Sequence, residues 1–114
     1  MKIFRNQEGQ TLVLTAFCMC AMLGFLALSV DVGVCFRSKR ALQTAADAAA
    51  IAATQDYMWS QLASSAQTAG KSASSANGYT DGVNGVHVTI NTPPTSGPNA
   101  GASGFVEALS LIHI

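Results

Sequence analysis

The sequence predicts a mainly α-helical chain with a small β part. A single transmembrane helix continues into a long alanine-rich helix, and an incomplete antiparallel β-hairpin follows. Three features predict this fold class: an uncharged apolar run over 11–30, a proline-free and alanine-rich stretch over 31–77, and alternating apolar and polar residues over 86–90. Such features are typical of a membrane span, a helix in water and a half-buried β-strand.

The apolar run 11–30 has the length of a membrane span. It contains no charge and no proline, and a helix of this length rises about 30 Å, the thickness of a bilayer's hydrocarbon core. A buried helix of a soluble domain would need more apolar cover than a 114-residue chain of this composition supplies. We therefore expect 11–30 to lie in membrane lipid, with residues 1–10 as a polar stub. Basic residues flank the run on both sides, so charge counting leaves the orientation open.

Small residues recur along one side of the predicted span. Ala16, Cys20 and Gly24 are four positions apart, and this spacing lets two membrane helices approach closely. We call these three residues the span stripe. They are candidate helix-packing residues.

The stretch after the span predicts that the membrane helix continues into water. From Asp31 to Trp59 there is no proline and one glycine, Gly33, and the segment 41–53 is mostly alanine, the best helix former. Gln43 and Asp47 are four apart and are expected to interact along the helix. A helix with so little bulk needs either a closely approaching backbone or continuity with the span. The candidate packing residues here are Leu42, Gln43, Ala45, Asp47, Ala48 and Ala49.

A second helical stretch is predicted to end at Asn77-Gly78, a usual helix stop. Its apolar positions recur at intervals of three and four: Trp59, Leu62, Ala66, Ala69, Ala73 and Ala76. With this stretch, the alanine-rich helical region covers 31–77.

Residues 78–108 predict a partial β domain. The turn signals Asp81-Gly82 and Asn84-Gly85 precede a strand over 86–90, a proline- and glycine-rich loop covers 92–104, and a second strand is expected from Phe105. Two strands make only a marginal sheet. Either the fold is incomplete here or it takes strands from a partner.

The last six residues, 109–114, match the translation of an adaptor sequence used in preparing DNA libraries. We expect them to be a non-native tail, and we assign His113 no functional role.

Composition and motifs exclude several classes of function. The net charge is zero, and five of the six basic residues lie at or before Arg40, which fits a membrane surface better than a nucleic acid. No catalytic constellation, EF-hand, zinc spacing or phosphate loop is present, and His87 stands alone. We expect no enzyme activity, no cofactor, no metal and no small-molecule substrate. Cys18 and Cys20 are interpreted as small apolar residues of the span. Cys35 is interpreted as a buried or idle thiol, with a disulfide to a partner chain in an oxidising compartment as the alternative.

Signals for proteolytic processing bear on the apolar run. The segment Ala27-Leu28-Ser29 offers a signal-peptidase site, although the apolar run is long for a signal peptide. A prepilin-type site is incomplete, because the fifth residue after Gly9 is Leu14, where pilins carry a glutamate.

A family resemblance rests on the block from Gly9 to Ala53. Its features are the Gly9-Gln10 start, the apolar span, Asp31-Val32-Gly33, a basic cluster, Leu42-Gln43 and Asp47-Ala48-Ala49. This combination resembles the N-terminal region of the TadG-like proteins of Flp, or tight-adherence, pilus assembly, relatives of the TadE and TadF pilin-like proteins.

The resemblance implies a single-pass protein of the bacterial inner membrane with a cytoplasmic N-terminus, an extracytoplasmic remainder and a pilin-like arrangement. It also implies a structural role in assembling or anchoring an adhesive pilus, with other pilus-assembly proteins as helix-packing partners. Two alternatives remain open: a secreted or surface-anchored binding protein released by signal peptidase, and an anchor for a domain in lost sequence.

Overall fold

The protein, described by a computed structural model over residues 7–112, contains two helices followed by two strands. Helix α1 covers Gln7–Ser60 and α2 covers Ala63–Ala76, while β1 covers Val86–Asn91 and β2 covers Glu107–Ile112. The chain divides into two compact units, Met1–Arg37 and Ser38–Ile114. The predicted fold class, mainly helical with a two-stranded antiparallel sheet, is confirmed.

Helix α1 continues through Asp31 without a break, as the absence of proline predicts. It ends at Ser60 because the next residue, Gln61, has a positive φ of 55°, a conformation that stops a right-handed helix. The Gln61 amide still donates to the Tyr57 carbonyl at 3.0 Å. The alanine-rich region 31–77 therefore contains two separate helices, α1 and α2.

Helix α2 buries a different stripe from the predicted one. Its buried residues are Ala66, Gly70 and Ser74. Trp59 is 90% exposed and Leu62 is 59% exposed. The prediction that these two large residues belong to the apolar side of the helix is therefore wrong. The i, i+4 spacing is that of a helix packed on one narrow line, and only small residues fit there.

The two strands pair antiparallel, with Val86 opposite Ile112, Val88 opposite Ser110 and Asn91 opposite Glu107. Alternation along β1 is confirmed, because Val86, Val88 and Ile90 are buried while His87 and Thr89 are exposed. Strand β2 begins two residues after Phe105 and extends through Ile112. Residues 109–112, predicted to belong to a non-native tail, thus form most of β2, and His113 lies outside the described residues.

The core of the second unit lies where α1, α2 and β1 meet. Its fully or nearly fully buried side chains are Ala49, Ala53, Ala66, Val86, Val88 and Ile90, and Tyr57 and Tyr79 pack against them. Ile90 is the largest of the fully buried side chains. Because the helices contribute alanine and glycine, this core depends on close backbone approach and not on interlocking of large side chains.

Candidate helix-packing surfaces

The span stripe lies on the surface of the first unit. Ala16, Cys20 and Gly24 are all exposed, and a Cβ built on Gly24 meets no atom within 4 Å. The stripe is therefore a shallow line between larger apolar side chains, with Phe17 and Met19 72% and 61% exposed. Another helix has room to approach here.

The hydroxyl groups within the apolar run are satisfied locally. Thr15 Oγ1 donates to the Thr11 carbonyl and Ser29 Oγ donates to the Phe25 carbonyl, each at 2.8 Å. Such bonds to the preceding turn let hydroxyl residues sit in an apolar medium without an unpaired donor. Within residues 7–112, one helix, α1, is long and apolar enough to cross a membrane, and it is compatible with a single-pass anchor.

The motif residues beyond the span differ in exposure and in contacts. Asp31 is exposed, and a Cβ on Gly33 would meet nothing within 4 Å. The predicted interaction of Gln43 with Asp47 is confirmed, since Gln43 Nε2 donates to Asp47 Oδ1 at 2.8 Å. A groove of about 340 Å³ follows this part of α1 past β2, lined by Lys39, Leu42, Gln43, Ala46, Asp47, Ala50, Ala108, Leu109 and Ser110. Ala48 lies between the core and the surface, half-buried.

The alanine face of α1, formed by Ala45, Ala49 and Ala53, is covered by the chain itself. All three side chains are 0% exposed. A Cβ built on Gly70 of α2 would stand 3.1 Å from the Ala49 carbonyl oxygen and 2.9 Å from Ile90 Cδ1. At Ala49, the closely approaching backbone that the alanines require is thus supplied by α2.

Asp81 joins α2 to β1. Its Oδ2 accepts a hydrogen bond from Lys71 Nζ at 2.7 Å, and its Oδ1 accepts one from the Val88 amide at 2.9 Å. The Lys71 hydrogen bond, helped by the Val88 amide, holds the pKa of Asp81 below its ordinary value. One half-buried carboxylate therefore links the strand to the helix.

Glu107 holds the long loop between the strands. Its Oε2 accepts hydrogen bonds from Asn91 Nδ2 at 2.8 Å, from the Thr95 amide at 3.1 Å and from Thr95 Oγ1 at 2.9 Å. Ser96 Oγ donates to the other oxygen, Oε1. These donors, Ser96 first, lower the pKa of Glu107 to about 2. The carboxylate closes the loop at the point where β1 ends and β2 begins.

The edge of β1 that faces away from β2 is hydrogen-bonded at Val86, Val88 and Ile90. The Val86 carbonyl accepts from the Gly82 amide at 2.9 Å, the Val88 amide donates to Asp81 at 2.9 Å, and the Ile90 carbonyl accepts from Gln67 Nε2 at 3.3 Å. We call this row of three bonds the capped edge. It leaves fewer free backbone groups on this edge for pairing with another chain.

Sequence reasoning missed three of the residues that organise this unit: Gly70, Asp81 and Glu107. Glycine is unfavourable inside a helix, so the sequence pattern gives Gly70 no packing role, although its missing side chain is what allows the close contact. Asp81 counted only as a turn residue and Glu107 only as part of a strand. A signal was available for Asp81, whose position just before an alternating strand is that of a potential edge cap.

The described residues offer little for other chemistry. Among residues 7–112, histidine, cysteine, aspartate and glutamate form no group of three or more that could hold a metal ion. The three cysteines, Cys18, Cys20 and Cys35, are free and exposed.

These features define a class of protein: one long N-terminal helix, apolar enough to be a membrane anchor, attached to a small helical and β unit whose helices pack through alanine and glycine. Comparison with protein families gives the particular family. The chain matches the model of the Tad family, Flp pilus-assembly TadE/G-like proteins, over residues 9–69, which is more than half of its length. The chain belongs to this family, as its motifs predicted. Comparisons with curated proteins and with solved structures give no match.

The matched segment runs from the start of the apolar run past the end of α1 and into α2. It therefore contains the span stripe, the alanine face and the first residue of the α2 line that packs against it, Ala66. Membership supports involvement in Flp pilus assembly and association with pilus-assembly proteins.

Proposed function

We propose that this protein is a structural component of Flp pilus assembly that is anchored in the bacterial inner membrane by residues 11–30. Its N-terminus would be cytoplasmic and the unit from Ser38 onward extracytoplasmic. The family match supports the process, and the exposed apolar surface of α1 supports the anchor. The protein acts by helix association in the membrane and not by catalysis.

The span stripe is the surface proposed to bind other pilus-assembly helices. One observation carries this assignment: the stripe is small and exposed, with open space above Gly24, whereas the alanine face is already occupied by α2 and β1. In lipid there is little hydrophobic drive for helices to associate, so close packing over small residues is a main source of affinity.

Two cysteines provide a matched test of the stripe. Cys20 belongs to the stripe, and Cys18 lies two positions away on the nearly opposite side of the helix. Cys20→Leu should weaken crosslinking to pilus-assembly proteins in cells about tenfold, the effect of losing about 1.4 kcal/mol of packing. Cys18→Leu adds the same side chain to a surface proposed to face lipid, so it should leave crosslinking and pilus display unchanged.

The anchor and its orientation need a separate measurement. A cysteine-reactive reagent that does not cross membranes should label Cys35 in intact spheroplasts and leave Cys18 and Cys20 unlabelled. The mass of the mature protein should include residues 1–29. A mature N-terminus at Val30 would contradict the anchor and favour a secreted binding protein. Equal effects of Cys20→Leu and Cys18→Leu would contradict the binding role of the span stripe but not the membrane anchor.

A further inference from the structure

The turn that leads into β1 contains an exposed Asn-Gly pair. Val86 donates its amide hydrogen to the Val83 carbonyl at 3.0 Å, and the two residues between them, Asn84 and Gly85, have φ angles of 52° and 73°. Two positive φ values inside such a bond are typical of a type I′ turn, for which Asn-Gly is the preferred pair. Both residues are exposed.

A second Asn-Gly pair, Asn77-Gly78, gives an internal comparison. There the Gly78 amide donates to the Ser75 carbonyl at 2.9 Å, and Asn77 Nδ2 donates to the Ala73 carbonyl at 2.9 Å. At the turn, by contrast, the described residues provide no hydrogen bond to the Asn84 side chain or to the Gly85 amide. The two pairs have the same side chains and differ in how their reacting groups are held.

We propose that Asn84 is a site of spontaneous covalent modification, at which the Asn84-Gly85 pair forms a succinimide that hydrolyses to aspartate and isoaspartate while Asn77-Gly78 is protected. The Gly85 amide nitrogen, having lost its proton to solvent base, attacks Asn84 Cγ. The new N–Cγ bond forms, the Cγ–Nδ2 bond breaks, and the nitrogen leaves as ammonia after protonation. Water then adds to one of the two ring carbonyls and opens the ring.

Neither step transfers electrons to or from an oxidant. The net reaction consumes one water and releases one ammonia. Glycine permits it best because no side chain shields the attacking nitrogen. At Asn77 the same attack requires two hydrogen bonds to break first: that of the Gly78 amide to the Ser75 carbonyl and that of the Asn77 side chain to the Ala73 carbonyl.

Either product of the reaction changes the turn that precedes β1. Opening at the backbone carbonyl gives isoaspartate, which routes the main chain through Cβ and Cγ and lengthens it by one carbon, so the bond between Val86 and Val83 cannot keep its geometry. Either product also adds a negative charge three residues after Asp81, whose carboxylate accepts the Val88 amide hydrogen. Modification should therefore loosen the capped edge.

The test compares the two pairs within the same molecules. The full chain, purified in detergent, is incubated in mildly alkaline buffer and digested, and deamidation of each pair is followed by mass spectrometry. Isoaspartate is identified by enzymatic methylation. Asn84 should deamidate at least about tenfold faster than Asn77, a difference that corresponds to about 1.4 kcal/mol in the barrier.

A parallel incubation in concentrated urea removes the folded structure and should bring the two rates together. Equal rates in the native protein, or faster reaction at Asn77, would overturn the proposal. Asn84→Gln, which lengthens the side chain and disfavours ring closure, should abolish the methylated product from this peptide. Persistence of that product in the variant would place the reactive site elsewhere and would count equally against the proposal.

Discussion

The Ala49 carbonyl oxygen of α1 lies 3.1 Å from the position that a Cβ on Gly70 of α2 would occupy. This distance is shorter than ordinary van der Waals contact, so the two helices are as close as glycine allows. Ile90 closes the same contact from β1, with Cδ1 2.9 Å from that position. The three elements of the core therefore meet at a residue without a side chain.

Gly70→Ala should destabilise the second unit even though alanine is the better helix former. The added methyl group forces α1 and α2 apart, at about 1–3 kcal/mol for overpacking, against a gain of about 1 kcal/mol in helix propensity. We expect a net loss of about 1 kcal/mol in urea unfolding followed by hydrogen exchange of the β1 amides. Ser72→Ala, on the exposed side of α2, is the control and should be neutral or stabilising. A stabilised Gly70→Ala protein would contradict the close contact.

Ala49→Leu should unfold the second unit instead of selectively removing a binding partner. Ala49 is 0% exposed, and a leucine there has no free volume, so we expect a loss of about 3 kcal/mol or more. Ala41→Leu, on an exposed part of the same helix, should change stability by less than about 0.5 kcal/mol. Circular dichroism of both variants in detergent distinguishes them. Normal folding of Ala49→Leu with lost partner crosslinking would instead support an intermolecular role for this face.

Glu107 should make the loop between the strands sensitive to acid. The hydrogen bonds from Ser96, Asn91 and Thr95 lower its folded pKa from 4.5 to about 2. A depressed pKa stabilises the folded state above the unfolded pKa, and this contribution disappears as the pH falls from about 4.5 to about 2. Hydrogen exchange of the Thr95 amide should accelerate, relative to the intrinsic rate, in that window. Glu107→Gln should show fast exchange at every pH, and slow exchange in that variant would refute the role of the charge.

Two substitutions should separate the two interactions of the Asp81 carboxylate, one with Lys71 and one with the Val88 amide. Asp81→Asn retains an oxygen that can accept from the Val88 amide but loses the charge facing Lys71, whereas Asp81→Ala removes both. Because an unpaired amide next to a buried strand residue costs more than an exposed ion pair contributes, Asp81→Ala should lower the melting temperature more than Asp81→Asn. Added salt should narrow the difference between wild type and Asp81→Asn. Identical melting of the two variants would show that the Val88 bond contributes nothing.

The elements of this fold were predictable where a single physical preference dominates. The uncharged run, the alanines and the alternation of Val86, Val88 and Ile90 each impose one conformation, and α1 and β1 follow them. The buried side of α2 was not predictable in this way. Large apolar residues usually mark the core, yet here Trp59 is exposed and Gly70 and Ser74 are buried, because the distance between helices decides which residues fit.

The candidate packing residues illustrate the same limit. Ala16 and Ala49 belong to similar small-residue patterns in the sequence, but the first is exposed and the second is 0% exposed. Only the positions of α2 and β1 distinguish a surface that is still open from one that is already filled. That information lies in contacts between distant parts of the chain and not in the local spacing.

The capped edge makes the two outer edges of the small sheet unequal. Val88 and Ile90 direct their backbone groups away from β2, so they form non-hydrogen-bonded pairs with Ser110 and Ala108. In such a pair the backbone groups of both residues point away from each other, so those of Ala108 and Ser110 lie on the side opposite to the capped edge. Gly82, Asp81 and Gln67 already occupy three backbone groups on the β1 side. The capped edge therefore favours the β2 side over the β1 side as the place where a further strand would pair.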